Sequence, residues 1–461
     1  MTSETADLVV IGAGPAGLAA ACEARELGMS VVVLDEQTAP GGQIYRNIES
    51  VTDDRQDVLG PDYVAGQELA AAFRRSGAEH CGGATVWNLT TDGVVDYIAD
   101  GPKTVSGKYV LLASGAMERP FPIKGWTLPG VMGAGAAQVL LKGAGAVPAG
   151  PVTMVGSGPL LYLLAWQYMR AGVRIAVVVD TTPMTNYLRA VPKLPGALAG
   201  WPDLSKGLKL LGALRKGGVK VYRDAREVAI EGRDAAQAVT FRHRGGRIEL
   251  PARLVLLHQG VVPNVQLSMS TGLDHSWDAA QHCWTPVTDE WGRMATSSLY
   301  VAGDSRGISG ALASAVQGRL AALSIGQQLE KLSDLQTRAA PLRRQLKRYM
   351  AIRPFLDTLY CPREIHRVPT DDDVMVCRCE EVTAGQIRGY VKLGCLGPNQ
   401  TKAFGRCGMG PCQGRFCGVT VTELIAKERK VDCAEVGHYR IRPPIKPILL
   451  RDLSAPKDEE P

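Results

Sequence analysis

The chain has 461 residues, of which 45% are apolar and 21% charged, so it is long enough for several cores and has an ordinary globular composition. Its net charge of +6 is small for this length, and its basic residues are scattered with few aromatic side chains, which excludes a nucleic-acid partner. Eleven cysteines without a recognisable leader segment predict a reducing compartment. We expect a cytoplasmic protein whose contact with the inner face of the cell membrane is at most peripheral.

The first predicted unit is a strand, a helix and a second strand over residues 7–35. The string GAGPAG lies where the first strand meets the helix. Its glycines permit a tight turn, a close approach of the backbone to a pyrophosphate, and close packing of the helix on the strand. The candidate cofactor residues of this turn are Gly12, Gly14, Pro15, Ala16 and Gly17.

An acidic residue and a glycine-rich loop follow this unit. A carboxylate at the end of the second strand can accept hydrogen bonds from an adenosine ribose and disfavours a 2′-phosphate. Asp35 is preferred for this role by its position, and Glu36 beside it is the alternative. The loop GGQIYR comes next and would reach the flavin side of a bound dinucleotide. Its candidate cofactor residues are Gly42, Gln43 and Arg46.

The last segment predicted for this site lies far along the chain. The string YVAGD ends a strand and precedes a helix predicted over residues 308–330. Asp304 can hold ribityl hydroxyls there, while Gly303 lets the backbone approach the cofactor. A glycine turn alone is weak evidence for FAD, because a Rossmann domain can also bind NAD or no cofactor. The three segments together favour FAD and predict that distant parts of the chain meet at one site.

A second strand–helix–strand unit over residues 152–180 repeats the pattern and is predicted to be inserted into the first fold. Its turn has Gly156 and Gly158, but Leu161 replaces the third glycine, which would push the helix from the strand. We expect an NAD(P)-binding-like domain that no longer works as a nicotinamide site. The predicted parts are an FAD-binding domain (1–125 and 285–330), the inserted domain (126–284), a basic helical connector (331–369), a cysteine module (370–430) and a tail (431–461).

The cysteine module has the pattern Cys377-x-Cys379 followed by Cys412-x4-Cys417. Paired thiolates on glycine-rich loops are typical ligands of a zinc ion or an iron–sulfur cluster. Zinc modules favour C-x2-C pairs, whereas a C-x-C pair with a distant pair resembles the bacterioferritin-associated-ferredoxin-like [2Fe–2S] module. The predicted ligands are these four cysteines. Cys407 is as far from Cys412 in the sequence as Cys417 is, so either could be the fourth ligand. We prefer Cys417 because it adjoins a helix start.

These motifs together resemble one family over nearly the whole chain. The strings that carry the resemblance are GAGPAG, LDEQTAPGGQIYR, ERPFPIKGWTLPGVM, HQGVVPN, AGDSRGISGA, VCRCEEVT, GMGPCQGRFC and YRIRPPIKPI. They are similar to those of the FAD- and [2Fe–2S]-containing component of bacterial heteromeric dehydrogenases. That family includes the A subunit of opine oxidase, the B subunit of hydrogen cyanide synthase and the α subunits of dye-linked proline and D-hydroxyproline dehydrogenases. The string LLASGAMERP resembles the family strand that closes the first sheet, and we expect Ser114 and Gly115 to contact the cofactor.

The resemblance implies a flavin-dependent oxidoreductase subunit that acts on CH–NH donors, with a tandem Rossmann-like α/β fold and a helical [2Fe–2S] module. A partner subunit similar to FAD-dependent amino-acid oxidases, with or without a further small subunit, would oxidise the C–N bond of an amino acid or opine. The present chain would receive the electrons; no general base or substrate clamp can be identified in it. One alternative is a self-contained NAD(P)H-dependent flavin/iron–sulfur reductase, which needs a working second fold. Another is a structural partner whose cofactor sites have decayed.

Overall fold

The start of the chain forms a mixed sheet whose central strands are parallel and buried. The structure is a computed structural model and describes residues 4–454. Apolar runs such as residues 8–11 are buried, as expected for central strands of a sheet that is covered on both faces. The elements are β1 (Glu4–Ile11), α1 (Pro15–Glu26), β2 (Val31–Asp35), a 3₁₀ helix (Ile48–Ser50), α2 (Asp53–Leu59), α3 (Pro61–Val64), α4 (Gly66–Ser76), β3 (Glu79–Gly82), β4 (Thr85–Leu89), β5 (Val94–Ile98), β6 (Pro102–Leu112) and β7 (Ala116–Glu118).

The middle of the chain forms a second parallel sheet and a small antiparallel sheet. The elements are β8 (Val131–Gly133), α5 (Ala134–Ala144), β9 (Val152–Ser157), α6 (Pro159–Arg170), β10 (Ile175–Asp180), α7 (Met184–Ala190), a 3₁₀ helix (Val191–Lys193), α8 (Leu194–Ala199), α9 (Trp201–Lys216), β11 (Val221–Tyr222), β12 (Arg226–Glu231), β13 (Ala238–His243), β14 (Gly246–Pro251) and β15 (Val255–Gln259). The parallel sheet has the order β11-β10-β9-β15-β8, and β12, β13 and β14 form the antiparallel one.

The chain then returns to the first sheet. The elements are β16 (Val261–Pro263), α10 (Gln266–Ser270), β17 (His275–Asp278), β18 (Cys283–Pro286), β19 (Leu299–Val301), a 3₁₀ helix (Gly303–Ser305) and α11 (Ala311–Gln328). Strand β16 pairs with β7, so these two short strands mark where the chain leaves and re-enters the first fold. The first sheet has the order β3-β2-β1-β6-β5-β4, and β19 pairs in parallel with β6. One nucleotide fold is therefore inserted into another, and the predicted tandem Rossmann-like architecture is confirmed.

A helical connector and a small cysteine module complete the chain. The elements are α12 (Leu335–Met350), α13 (Arg353–Leu359), α14 (Glu364–Arg367), β20 (Met375–Cys377), β21 (Val382–Thr383), α15 (Ala384–Lys392), α16 (Pro398–Gly405), α17 (Gly418–Arg429), α18 (Cys433–Val436) and α19 (Leu450–Ser454). Helix α15 begins with a capping box, in which Thr383 and Gln386 satisfy each other's backbone N–H groups. The cysteine loops thus lead directly into well-defined helix starts.

The cysteine module shares a core with the first sheet. Side chains of β4, β5 and β6 belong to the same buried cluster as Cys377, Cys407 and Cys417. The tail crosses this junction without regular structure, and the backbone N–H of Ile445 donates to the carbonyl of Trp87 at 3.0 Å. Within residues 4–454 no helix is long and apolar enough to cross a membrane.

Candidate functional site

The first glycine turn has the shape that a pyrophosphate needs. Gly12 has φ +109°, and a Cβ there would lie 2.4 Å from the carbonyl oxygen of Ala113. A Cβ on Gly17 would lie only 1.9 Å from the carbonyl oxygen of Gly12, so α1 packs directly on the turn. Gly14 is the N-cap and Pro15 the first residue of α1, whose free N–H groups and dipole favour an anion.

Asp35 lies at the end of β2, beside the first glycine turn. Its Oδ2 accepts from the N–H of Ala13 at 2.5 Å, and its Oδ1 accepts from the N–H of Gln37 at 2.6 Å. Burial raises the pKa of Asp35, although these two hydrogen bonds oppose the increase. Glu36 instead forms an ion pair with Lys446 of the tail. The side chain of Asp35 therefore contacts the glycine turn, whereas that of Glu36 contacts the C-terminal tail.

The GGQIYR loop packs against the glycine turn. Gly42 has φ +59°, and a Cβ there would lie 2.7 Å from the Cα of Gly14. Arg46 donates to the side-chain oxygens of Gln43 at 3.2 Å and of Gln37 at 2.6 Å. The loop is thus held over the turn by its own polar side chains.

Lys142 supports this loop and was not found by sequence reasoning. Its Nζ donates to the carbonyl oxygen of Gln43 at 3.1 Å, and only 5% of the residue is exposed. Burial, and then the nearby guanidinium of Arg46, lower the pKa of Lys142 to about 7. The sequence around Lys142 contains no motif and predicts only an ordinary helix, so nothing local distinguishes this lysine.

Gly303 and Asp304 lie close to the first glycine turn, although they are almost 300 residues away from it in the sequence. Gly303 has φ +77°, and a Cβ there would lie 2.9 Å from the Cβ of Ala16. Asp304 accepts through Oδ1 from the N–H groups of Ser309 at 2.8 Å and Gly310 at 2.9 Å. The structure therefore brings together the two distant segments that the sequence predicts to meet.

Ser114 and Gly115 lie at the crossing between the folds. The hydroxyl of Ser114 donates to the carbonyl of Asn264 at 2.9 Å, and the N–H of Asn264 donates to the carbonyl of Gly115 at 2.9 Å. In the structure both residues join the outgoing and returning chain segments. Their contact with a cofactor stays a prediction.

The second nucleotide fold has a different interior. Leu161 is completely buried, and the hydroxyl of Tyr162 donates to Oδ2 of Asp180 at 2.7 Å. Asp180 is the acid at the end of β10, where a nicotinamide nucleotide would place its ribose. Burial raises the pKa of Asp180 and, together with the Asp180 charge, raises that of Tyr162. The polar group best placed for a ribose is thus already bonded within the protein.

A buried histidine lies under the second glycine turn. Nδ1 of His258 is 2.7 Å from Oε1 of Glu118, and Glu118 also accepts from the N–H of Gly135 at 3.0 Å. A Cβ on Gly158 would lie 3.4 Å from Nε2 of His258. The Glu118–His258 pair links the crossing strand β7 to the second sheet, and no sequence spacing indicated it.

Five cysteines converge in the cysteine module. The sulfurs of Cys377, Cys407 and Cys417 all lie within 4.8 Å of one another and are buried. Hydrogen bonds from Cys407 and Cys417 lower the pKa of Cys377 to about 2, and the hydrogen bond to Cys377 raises the pKa of each of the other two thiols. The hydroxyl of Tyr439 donates to the sulfur of Cys407 at 3.3 Å.

The remaining two predicted ligands lie on the outer side of this group. Cys379 is exposed and Cys412 is half-buried, and the two interact through hydrogen bonds to the Cys412 N–H and thiol. A Cβ on Gly410 would lie 2.2 Å from the Cβ of Cys379, so the second cysteine loop packs directly on the first. The structure thus brings all four predicted ligands and Cys407 to one place.

Direct hydrogen bonds join this module to the nucleotide folds. The side-chain amide of Gln266, a residue of α10, donates at 2.8 Å to the carbonyl of Gln413, which follows Cys412. The indole N–H of Trp126 donates to the carbonyl of Met375 at 2.8 Å. The cysteine module is therefore bonded to both crossing segments, the one that leaves the first fold and the one that returns to it.

The two nested nucleotide folds and the cysteine module define a Rossmann-type flavoprotein oxidoreductase. Residues 6–321 match the family described as pyridine nucleotide-disulphide oxidoreductase, and residues 373–457 match the sarcosine oxidase A3 domain. The chain is 47% identical to the A subunit of opine oxidase from Agrobacterium tumefaciens (strain Ach5), over 98% of this chain and 92% of that protein. It is 32% identical to hydrogen cyanide synthase subunit HcnB of Pseudomonas aeruginosa, over 95% of this chain and 96% of that protein. The chain therefore belongs to the pyridine nucleotide-disulphide oxidoreductase family, in the group that contains these two subunits.

Solved structures share the fold. L-proline dehydrogenase from P. horikoshii superposes with a TM-score of 0.73 at 18% identity, covering 98% of this chain and 79% of that chain. Thioredoxin reductase from T. acidophilum superposes with a TM-score of 0.51 at 20% identity, covering 71% of this chain and 99% of that chain. The similarity to L-proline dehydrogenase therefore includes the connector and the cysteine module as well as the nucleotide folds.

Proposed function

We propose that the chain is the FAD- and [2Fe–2S]-containing electron-transfer subunit of a heteromeric dehydrogenase that oxidises the C–N bond of an opine. The observation that carries the proposal is the gathering of Cys377, Cys379, Cys407, Cys412 and Cys417 in a module that shares a buried core with the first sheet, whose glycine turn is suited to a flavin dinucleotide. The similarity to the A subunit of opine oxidase over nearly the full length of both chains supports the substrate class.

The residues of the first fold fit FAD. The turn from Gly12 to Gly17 leaves its backbone bare for a pyrophosphate, and Asp35 would accept from the adenosine ribose. Asp304 is held by the start of the next helix through one oxygen, and the carboxylate would accept from ribityl hydroxyls. These are the roles that the sequence predicts for the same residues.

The cysteine module fits an iron–sulfur cluster better than a zinc ion. Structural zinc takes four tetrahedral ligands, typically from C-x2-C pairs, whereas here five thiols converge in a buried trio and an outer pair. Four thiolates divided between an inner and an outer side are suited to a two-iron cluster. We infer Cys377 and Cys417 as the inner ligands and Cys379 and Cys412 as the outer ones. When bound, the cluster would supply one-electron and the flavin two-electron chemistry.

The outer side is where a partner subunit can approach. Cys379 is exposed, whereas the inner sulfurs are buried under Tyr439 and the first sheet. A cleft of about 500 Å³ opens next to Cys379 and is lined by Met409, Leu449 and Leu450 among others. The curated relatives are named as subunits, and we propose that this cleft faces the substrate-oxidising flavoprotein subunit.

The alternative of a self-contained NAD(P)H reductase is not favoured. Leu161 occupies the position of the third glycine, and Asp180 is buried and bonded to Tyr162. A nucleotide would have to displace this hydrogen bond and a buried leucine before it reached the usual pose. Electrons therefore reach the chain from a partner protein rather than from a nicotinamide.

Purification of the native complex under anaerobic conditions tests the proposal. We expect flavin and about two irons per chain, a co-purifying flavoprotein subunit, and a rhombic EPR signal after addition of an opine. Dithionite provides the control, because it reduces the cluster without substrate. Absence of any rhombic signal after dithionite would contradict the cluster. A dithionite signal without one from opines, but with one from proline or glycine, would contradict only the substrate class.

A further inference from the structure

Three consecutive helices of the second fold carry large apolar side chains on their solvent side. Helix α7 buries Asn186 and Ala190 but leaves Leu188 75% exposed. Helix α8 buries only Ala197 and leaves Leu198 57% exposed. Small and polar residues thus face the protein and large apolar ones face water, which is the reverse of an ordinary surface helix.

Helix α9 is apolar on two faces. Leu210 and Leu214 are buried against the fold. Trp201 and Leu208 are seven residues apart, hence on one common face opposite to the buried pair, and each is more than half exposed. Large apolar side chains on two opposite faces require cover on both sides. The fold supplies cover for one side only.

We define the α7–α9 surface by its eight exposed large apolar residues. They fall within 25 consecutive positions: Met184, Tyr187, Leu188, Val191, Leu194, Leu198, Trp201 and Leu208. Such a concentration of exposed apolar side chains marks an interaction site rather than random surface composition.

Positive charge accompanies this surface. Between residues 184 and 216 the chain has six basic residues and one acidic residue, Asp203, so this stretch has a net charge of +5 against +6 for the whole chain. The basic residues are Arg189, Lys193, Lys206, Lys209, Arg215 and Lys216. Lys206 forms an ion pair with Asp62, and Lys209, Arg215 and Lys216 are exposed beside the apolar face of α9.

We propose that the α7–α9 surface binds an anionic lipid surface. Lysine is depleted at protein–protein interfaces, whereas lysine and arginine beside exposed tryptophan and leucine are typical of helices that lie in the membrane interface. Because none of the described helices can span a bilayer, the contact would be with headgroups and the outer part of the acyl chains. This lipid contact does not depend on the proposed redox function.

The surface is firmly held by the rest of the chain. The side-chain amide of Asn186 donates to the carbonyls of Leu359 and Cys361, at 3.1 and 3.0 Å. A Cβ on Gly200 would lie 2.8 Å from the Cβ of Ile352, so α9 begins in contact with the connector. Lipid binding would therefore orient the whole subunit rather than tether it through a loose segment.

Co-sedimentation of the purified chain with sucrose-loaded vesicles tests the proposal. We expect binding to vesicles of equal parts phosphatidylglycerol and phosphatidylcholine, at least roughly tenfold weaker binding to phosphatidylcholine alone, and release at high salt. The double variant Trp201→Ser/Leu208→Ser should bind the mixed vesicles at least roughly tenfold more weakly. The double variant Leu140→Ser/Val287→Ser removes two other exposed apolar residues, at 47% and 48%, and should bind like the wild type.

Other outcomes would overturn the inference. Equal binding to both vesicle types would exclude charge recognition, and failure of the wild type to bind the mixed vesicles at low salt would exclude lipid. If Trp201→Ser/Leu208→Ser kept its lipid binding but lost a co-purifying subunit, the surface would be a protein interface instead. Unchanged thermal unfolding of both double variants establishes that folding does not explain the result. Quenching of Trp201 by brominated lipid, absent in Trp201→Phe, gives a readout that does not depend on sedimentation.

Discussion

Gly17 illustrates how closely single atoms determine the first nucleotide site. Because a Cβ there would lie 1.9 Å from the carbonyl oxygen of Gly12, Gly17→Ala should force α1 away from the turn. We expect a loss of about 3 kcal/mol in unfolding free energy and a flavin content near zero. Gly389→Ala is the matched control, since that helical glycine has open space and should gain about 0.5–1 kcal/mol. Urea unfolding and visible absorbance measure both effects; a Gly17→Ala protein that kept its flavin would contradict the geometry.

Cys407 and Cys417 can be distinguished by matched serine substitutions. Both sulfurs lie beside Cys377, but Cys417 immediately precedes α17, where the helix dipole stabilises negative charge. We expect Cys417→Ser to lose most of its iron and acid-labile sulfide, and Cys407→Ser to retain both. Iron and sulfide analysis with EPR of the reduced protein gives the measurement. The reverse pattern would make Cys407 the ligand.

Lys142 should make stability depend on pH. Its pKa is lowered to about 7 in the folded chain from 10.5, so between these pH values the unfolded chain binds more protons. The free energy of unfolding should therefore rise as the pH increases from about 7 to about 10. We expect Lys142→Met to be more stable than the wild type at neutral pH, with the difference shrinking as the pH rises.

Urea unfolding at several pH values measures this slope. Lys392→Met replaces a lysine on the surface of α15 and should leave the slope unchanged. Parallel pH profiles of Lys142→Met and the wild type would show that the Lys142 ammonium does not lose its proton in the folded protein.

The positions of the glycine turn, Asp35 and Gly303–Asp304 in the fold could be predicted, because each lies at the end of a strand that local sequence reveals. The choice between Cys407 and Cys417 could not be made from the sequence, because both have the same spacing to Cys412. Both are also buried beside Cys377. Lys142 and the Glu118–His258 pair were missed for another reason. Their roles depend on tertiary contacts with Gln43 and with the second glycine turn, which leave no periodic signal in the sequence.

At the scale of elements, the second βαβ unit keeps its fold while its nucleotide-binding features are altered. Strand β9 and helix α6 are in place, but Leu161 replaces the third glycine, and the Asp180 carboxylate on the ribose side is bonded to Tyr162. We expect NADH and NADPH to leave the flavin oxidised in stopped-flow measurements under anaerobic conditions. Dithionite provides the positive control for bleaching. Rapid bleaching by either nucleotide would show that this unit still works as a nicotinamide site.

At the scale of the whole molecule, the cysteine module is not an appended domain. Its cysteines belong to the same buried cluster as strands of the first sheet, and Gln266 and Trp126 add hydrogen bonds across the junction. We expect limited proteolysis of the native protein to release no stable fragment that begins near residue 370, because the module would lose part of its core. Release of such a fragment with its iron intact would contradict this.

The position of β19 has a consequence for how the protein is made. The edge of β6 that β19 covers emerges from the ribosome long before Leu299–Val301 is synthesised. Helix α1 likewise emerges long before α11, the helix on which it packs. Until then a growing chain exposes an apolar sheet edge, which is a hazard for aggregation. Its first site is completed only after the entire second fold has been synthesised. A chain of this design therefore completes its dinucleotide site late, and ribosome stalling between the two halves would leave a product that lacks Gly303 and Asp304.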